Sequence, residues 1–217
     1  MMKKEPPAPV KNRGGRPSRE QAGRLEDKIL HAAAALFFHE GYGAVSIEKI
    51  AKHAQISKRT FYARFENKAV LFRAVVRRII QHLRPPDDAT DRLFQGALVE
   101  DILHRIALLI LRASLSPDTL ALQRLVLAEA TRFPELALIL QEQGARQEAI
   151  HRIAALLRTE KKDKPLSVDP LFAAEQFLVL LTAAPQRRAM LGTPLTEKEL
   201  EIWSKSTVAL FLKGVYR

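Results

Sequence analysis

Three residues that open helices recur at short, nearly even intervals: Ser46, Ser57 and Asn67. The side-chain oxygen of such a residue accepts a hydrogen bond from a free backbone N–H of the first turn, so each one marks a helix start. Spacings of 11 and 10 residues leave room for only two or three helical turns before the next start. After Ser46, the apolar residues Ile47, Ile50, Ala51 and Ala54 follow the i, i+3, i+4, i+7 pattern of a buried helical face. Only Gln55 and Ile56 stand between that helix and Ser57. Two short helices joined this tightly pack against each other as a helix-turn-helix, and the small Ala51 and Ala54 permit a close approach. Behind Asn67, Leu71, Val75 and Ile79 form a further stripe.

The same signals run through the rest of the chain. Ser18 and Gln21 have capping-box spacing, and Ile29, Ala33, Leu36 and Phe37 share one face of the helix that follows, with Gly41 as its stop. Pro85-Pro86-Asp87-Asp88 breaks the chain. Beyond it, helices are predicted over Ala89–Ser114, Pro117–Thr131, Pro134–Arg158, Asp169–Leu191 and Glu197–Val215, with prolines or glycine at the breaks. No stretch shows convincing strand alternation. The expectation is an all-α chain of about nine helices. A flexible basic arm (1–17) precedes a three-helix domain (18–68) and a larger helical domain (69–217), with helix 67–83 connecting the two.

Charge separates these segments. Of the net +11, residues 1–84 hold 18 Lys/Arg against 7 Asp/Glu, while residues 85–217 hold 17 of each. A surplus concentrated in one segment points to a polyanion partner. The absence of cysteine fits a reducing compartment. No apolar run suits a secretion signal or a membrane span, so a soluble cytoplasmic protein is expected.

The decapeptide Ile56–Phe65, ISKRTFYARF, interleaves aromatic with basic residues. On a helix, Phe61 and Phe65 would face a core shared with Phe37, Ile47, Ile50 and Ile56, leaving Lys58, Arg59, Thr60, Tyr62 and Arg64 outward. A helix of this size fits the major groove of B-DNA. Together with Gly41–Ala51 (GYGAVSIEKIA) and the following Glu66-Asn67-Lys68, the segment resembles the N-terminal domain of the TetR family of bacterial transcription regulators. The likeness covers roughly residues 25–72. It departs at Gln55, where the family usually has glycine.

The resemblance implies that Ser46 and Lys49 contact phosphate and that Lys58, Arg59 and Thr60 lie in the major groove. It further implies that Tyr62 meets phosphate or a thymine methyl and that Lys68 clamps the DNA backbone. In the arm, Lys11, Arg13 and Arg16 flank a Gly/Pro run similar to minor-groove hooks.

For the remainder, the resemblance implies a homodimer that binds a small-molecule effector. Leu122–Leu138 and Ala173–Leu178 are similar to the AefR-like C-terminal branch of the family. The expected dimer face comprises Phe172, Gln176, Val179, Leu180 and Ala183 on one helix, and Ile202, Thr207, Leu210 and Phe211 on the next. The expected effector pocket is lined by Leu103, Ala107, Leu111, Leu125, Glu129, Phe133 and Phe177. A buried carboxylate needs a partner; for Glu129 that is Arg132, Arg124 or a polar ligand, unless it faces water. The effector is expected to be apolar or amphipathic, and repression is the family's usual habit. No cofactor or metal is expected.

An enzyme is disfavoured. The six histidines show no close ligand spacing, there is no nucleophile elbow or P-loop, and Gly41-Tyr42-Gly43 follows no strand. A DNA-binding regulator or architectural protein without an effector is the alternative.

Overall fold

The computed structural model describes residues 19–86, 92–93, 98–159 and 166–215. Among them stand ten α-helices and no strand: α1 Arg19–Glu40, α2 Ile47–His53, α3 Lys58–Tyr62, α4 Lys68–Leu83, α5 Val99–Ser114, α6 Pro117–Glu129, α7 Glu135–Glu142, α8 Ala145–Thr159, α9 Pro170–Met190 and α10 Glu197–Val215. Ser18 and the arm residues Lys11, Arg13 and Arg16 lie outside the described residues.

The expected caps are in place. Ser46 Oγ accepts from the Lys49 N–H at 3.2 Å, Ser57 Oγ from Thr60 at 3.0 Å, and Asn67 Oδ1 from Val70 at 2.9 Å. Gly41 stops α1 with φ +89°, and Gln55 turns the chain between α2 and α3 with φ +53°. The single helix expected over Pro134–Arg158 is two helices, because Gly144 adopts φ +71° between α7 and α8. Within the expected Ala89–Ser114, α5 runs from Val99.

Two apolar clusters form. The first joins α1, α2, α3 and α4 around Phe37, Ile50, Phe61 and Phe72, and it also takes in Leu122, Leu125, Val126, Leu136 and Ile139 of α6 and α7. The second packs α5, α8, α9 and α10 around Leu103, Leu111, Ile153, Leu157 and Phe177. The apolar interior therefore does not divide at residue 68: α6 and α7 complete the core beneath the N-terminal helices.

Pro185 sits inside α9. A proline has no N–H to give the carbonyl four residues back, here that of Leu181. The indole N–H of Trp203 on α10 donates to that carbonyl at 2.9 Å. The proline's lost bond is thus replaced by one that ties the last two helices together. No single described helix is long and apolar enough to cross a membrane.

Candidate DNA-binding surface and central cavity

The inner face of α3 is anchored. Phe61 is fully buried and Phe65 nearly so, with their rings 5.8 Å apart. Burial of two aromatic side chains fixes the rotation of the helix and thereby decides which residues point away. Lys58, Arg59 and Tyr62 are exposed, Tyr62 by 51%. Thr60 is half-buried, and its hydroxyl lies 2.8 Å from Ser57 Oγ. Ser46 and Lys49 are exposed at the start of α2.

The lysines on this surface are held by carboxylates that the sequence reading did not single out. Lys49 pairs with Glu40, and Lys58 pairs with Glu48 at 2.8 Å. The hydrogen bond from Lys58, then those from the Glu48 backbone and from Ser46, hold the Glu48 carboxyl down at about 2. Its position in the first turn of α2, where acidic residues are favoured, was the available signal. Both pairs are solvent-exposed, so a phosphate or base edge can replace either carboxylate at little cost.

Two expected contacts are placed otherwise. Lys68 does not reach outward: its ammonium donates to the carbonyls of Tyr42 at 2.7 Å and Val45 at 3.0 Å, and lies 4.4 Å from the centre of the Tyr42 ring. The carbonyls of the α1–α2 turn and the face of the Tyr42 ring replace part of the water around the ammonium. Burial lowers the Lys68 pKa, while Glu129 and Glu135 act in the opposite direction. Arg64 leans back toward Glu26 of α1, at 3.8 Å, with its side chain only 21% exposed.

A cavity of about 580 Å³ lies between the end of α4 and helices α5 to α9. Ile80, Leu83, Ile106, Ile110, Leu140, Ile153 and Leu178 supply its apolar wall. Thr119, Gln123, Thr182 and Gln186 add neutral polar groups, and Arg84, Arg146, Arg152 and Glu148 add charged ones. Glu148 pairs with both Arg84, at 2.7 Å, and Arg152, at 3.2 Å. Among the described residues lining the cavity, none is aromatic.

None of the expected pocket residues lines this cavity. Leu103, Ala107, Leu111 and Phe177 are fully buried in the second core, because their side of α5 and α9 packs on neighbouring helices. Leu125 and Glu129 border a smaller cleft of about 260 Å³ beside Phe37 and Gly41. Glu129 takes neither Arg124 nor Arg132 as a partner: it accepts the backbone N–H of Gly43 at 3.0 Å. Phe133 packs edge-on against Tyr42, with centroids 5.2 Å apart.

The expected dimer face divides in two. Phe172, Val179, Leu180, Ile202 and Leu210 are exposed, as are Gln176 and Ala183. Thr207 and Phe211 are buried within the chain, Phe211 against the Phe177 ring at 4.9 Å, because the inner stripe of α10 closes on α5 and α9. Among the described residues, no group of three His, Asp or Glu is placed to hold a metal.

Comparison with known proteins agrees with this architecture. Residues 29–75 match bacterial regulatory proteins of the tetR family, and residues 101–217 match the AefR-like transcriptional repressor C-terminal domain. A transcriptional regulator structure from Mesorhizobium loti MAFF303099 is 27% identical, with a TM-score of 0.73 over 90% of this chain and 98% of that one. The structure of the flavonoid-responsive regulator FrrA is 30% identical, with a TM-score of 0.70 over 89% of this chain and 98% of that one. The biofilm operon negative transcriptional regulator IcaR of Staphylococcus epidermidis is 29% identical over 105 residues, which span 44% of this chain and 57% of IcaR. With both halves matched, the chain belongs to the TetR family of DNA-binding transcriptional regulators.

Proposed function

We propose that the protein is a ligand-responsive repressor that binds a palindromic operator as a homodimer and is released by a small apolar or amphipathic effector. Residues 18–68 read the DNA, residues 69–217 bind the effector and dimerise, and the arm, through Lys11, Arg13 and Arg16, adds minor-groove contacts. The carrying observation is α3, whose inner face is fixed by Phe61 and Phe65 while Lys58, Arg59 and Tyr62 point outward. Lysine and arginine match the O6 and N7 acceptors of guanine. Ser46 and Lys49, exposed at the start of α2, supply the phosphate contacts in this reading.

Repression is supported by the match to a repressor C-terminal domain and by IcaR, which its name makes a negative regulator. Dimerisation is supported by exposed Phe172, Val179, Leu180, Ile202 and Leu210 on the adjacent helices α9 and α10. A two-fold pair gains affinity because the second half-site binds at high effective concentration. The cavity falls within the range of ~300–1,000 Å³ usual for small-molecule sites. FrrA is flavonoid-responsive by name. The aliphatic wall described here favours a flexible aliphatic body over a stacked aromatic one.

The test is selection of bound duplexes from a random pool, followed by titration of the complex with dodecanoate and, separately, with a flavonoid. The expected result is a palindrome whose half-sites lie about one helical turn, roughly 34–36 Å, apart, with dodecanoate lowering affinity. A protein that prefers no duplex over heparin overturns the reading.

A further inference from the structure

The turn between α1 and α2 leads directly into Ser46 and the DNA-facing surface. The backbone N–H of Gly43 in this turn donates to both carboxylate oxygens of Glu129, at 3.0 and 3.3 Å. Glu129 is the last residue of α6, and Phe133, in the bend that follows, packs on Tyr42 of the same turn. From the other side, Lys68 of α4 holds the Tyr42 and Val45 carbonyls. The turn is therefore gripped from the α6–α7 bend and from the start of α4 together.

The grip leaves no slack. A Cβ on Gly43 would lie 2.8 Å from the Phe133 ring and 3.0 Å from Glu129 Oε2. A Cβ on Gly41 would collide with Glu129 Oε1. A Cβ at either position would displace the carboxylate from the Gly43 N–H, and Gly41 also needs its positive φ, which accounts for the GYG sequence without any phosphate-binding role. A carboxylate accepting a backbone N–H makes a charge-assisted bond, stronger than one to a neutral acceptor. Glu129 lies far along the chain from α2 and α3, yet it fixes the segment that aims them.

We propose that Glu129 is a positioning residue for DNA binding: its bond to the Gly43 N–H holds the α1–α2 turn so that α2 and α3 meet the groove in register. This rests on the DNA-binding function given above. The test uses the full chain and the duplex selected from the random pool, with affinity measured across a salt series and folding followed by circular dichroism. Glu129→Ala is expected to weaken binding on the order of tenfold, within the usual span of coupling between sites. The salt slope should not steepen, because losing the carboxylate adds no phosphate contact. Exchange of the Gly43 amide proton should accelerate. Glu129→Gln, which keeps an acceptor for that N–H, should recover most of the affinity.

A purely structural carboxylate would lower the melting temperature and leave the affinity of the folded protein untouched; that result, or tighter binding, overturns the proposal. A salt slope steepened by about one also overturns it, since the carboxylate would then act by repelling a phosphate directly. Should Glu129→Ala fail to fold, Glu129→Asp keeps the charge and shortens the reach: weakened binding supports positioning and unchanged binding overturns it. A wild-type chain that selects no duplex removes the functional reading and this proposal together. Selection by the wild type with no effect at Glu129 removes this proposal alone.

Discussion

A side chain in left-handed backbone carries a local cost, and Gln55 carries one at φ +53°. The cost arises because Cβ crowds the following carbonyl, on the order of 1 kcal/mol. Replacing Gln55 with glycine is expected to raise stability by ~1 kcal/mol in urea denaturation, since the exposed Lys28–Gln55 hydrogen bond lost with it contributes little. A fall in stability would mean that this surface bond outweighs the strain. Tyr42 offers a second readout. Burial, with Glu135 and Glu129 adding to it, pushes its pKa up to about 12 from the usual 10. The fold therefore favours the neutral phenol: its contribution to stability is intact below pH 10 and is lost as pH rises through about 12. In a phenolate absorbance titration, one tyrosine should ionise late, and Tyr42→Phe should remove that step. The strain at Gln55 was signalled by the resemblance, since the family usually has glycine there. The inward turn of Lys68 could not be read from the sequence, since the carbonyls it serves lie 26 and 23 residues away in the chain.

At the level of the helix, one bond between α9 and α10 replaces another. Pro185 deprives the Leu181 carbonyl of its helical donor, and Trp203 supplies an indole N–H in its place. Trp203→Phe keeps most of the ring and leaves that carbonyl unsatisfied, which costs roughly 1–3 kcal/mol. In a double-mutant cycle with Pro185→Ala, which restores the helical donor, the Trp203→Phe penalty should shrink. Equal penalties in both backgrounds would show that the indole bond does not compensate for the proline. Most helix ends were legible from caps and glycines, because capping chemistry acts within a few residues. The break at Gly144 was hidden inside a continuous apolar pattern, where a single glycine costs a helix only about 1 kcal/mol and need not end it.

For the whole molecule, the exposed apolar stripe of α9 and α10 is the feature with the clearest consequence for assembly. Phe172 is 54% exposed and Leu210 66%, a large apolar surface to leave in water. Phe172→Glu with Leu210→Glu should shift sedimentation from dimer to monomer while the helical signal persists, and operator affinity should fall at least tenfold as the second half-site is lost. A double variant that still sediments as a dimer would place the interface elsewhere. Helical periodicity correctly marked α9 and α10 as apolar, but it could not tell the faces of α10 apart. Thr207 and Phe211 turned inward for that reason, and for the same reason the expected pocket residues Leu103 and Phe177 turned out to be core.

The first apolar cluster also bears on how such proteins can be recombined. Leu122, Leu125, Val126, Leu136 and Ile139 close the interior beneath Phe37 and Phe72. A chimera that grafts only the N-terminal trihelical unit onto a foreign sensor would strip that floor away and expose greasy surface on both fragments. A transplant that folds must carry α4, α6 and α7 along with it, so the unit that can be exchanged is set by shared packing and not by the helix-turn-helix alone.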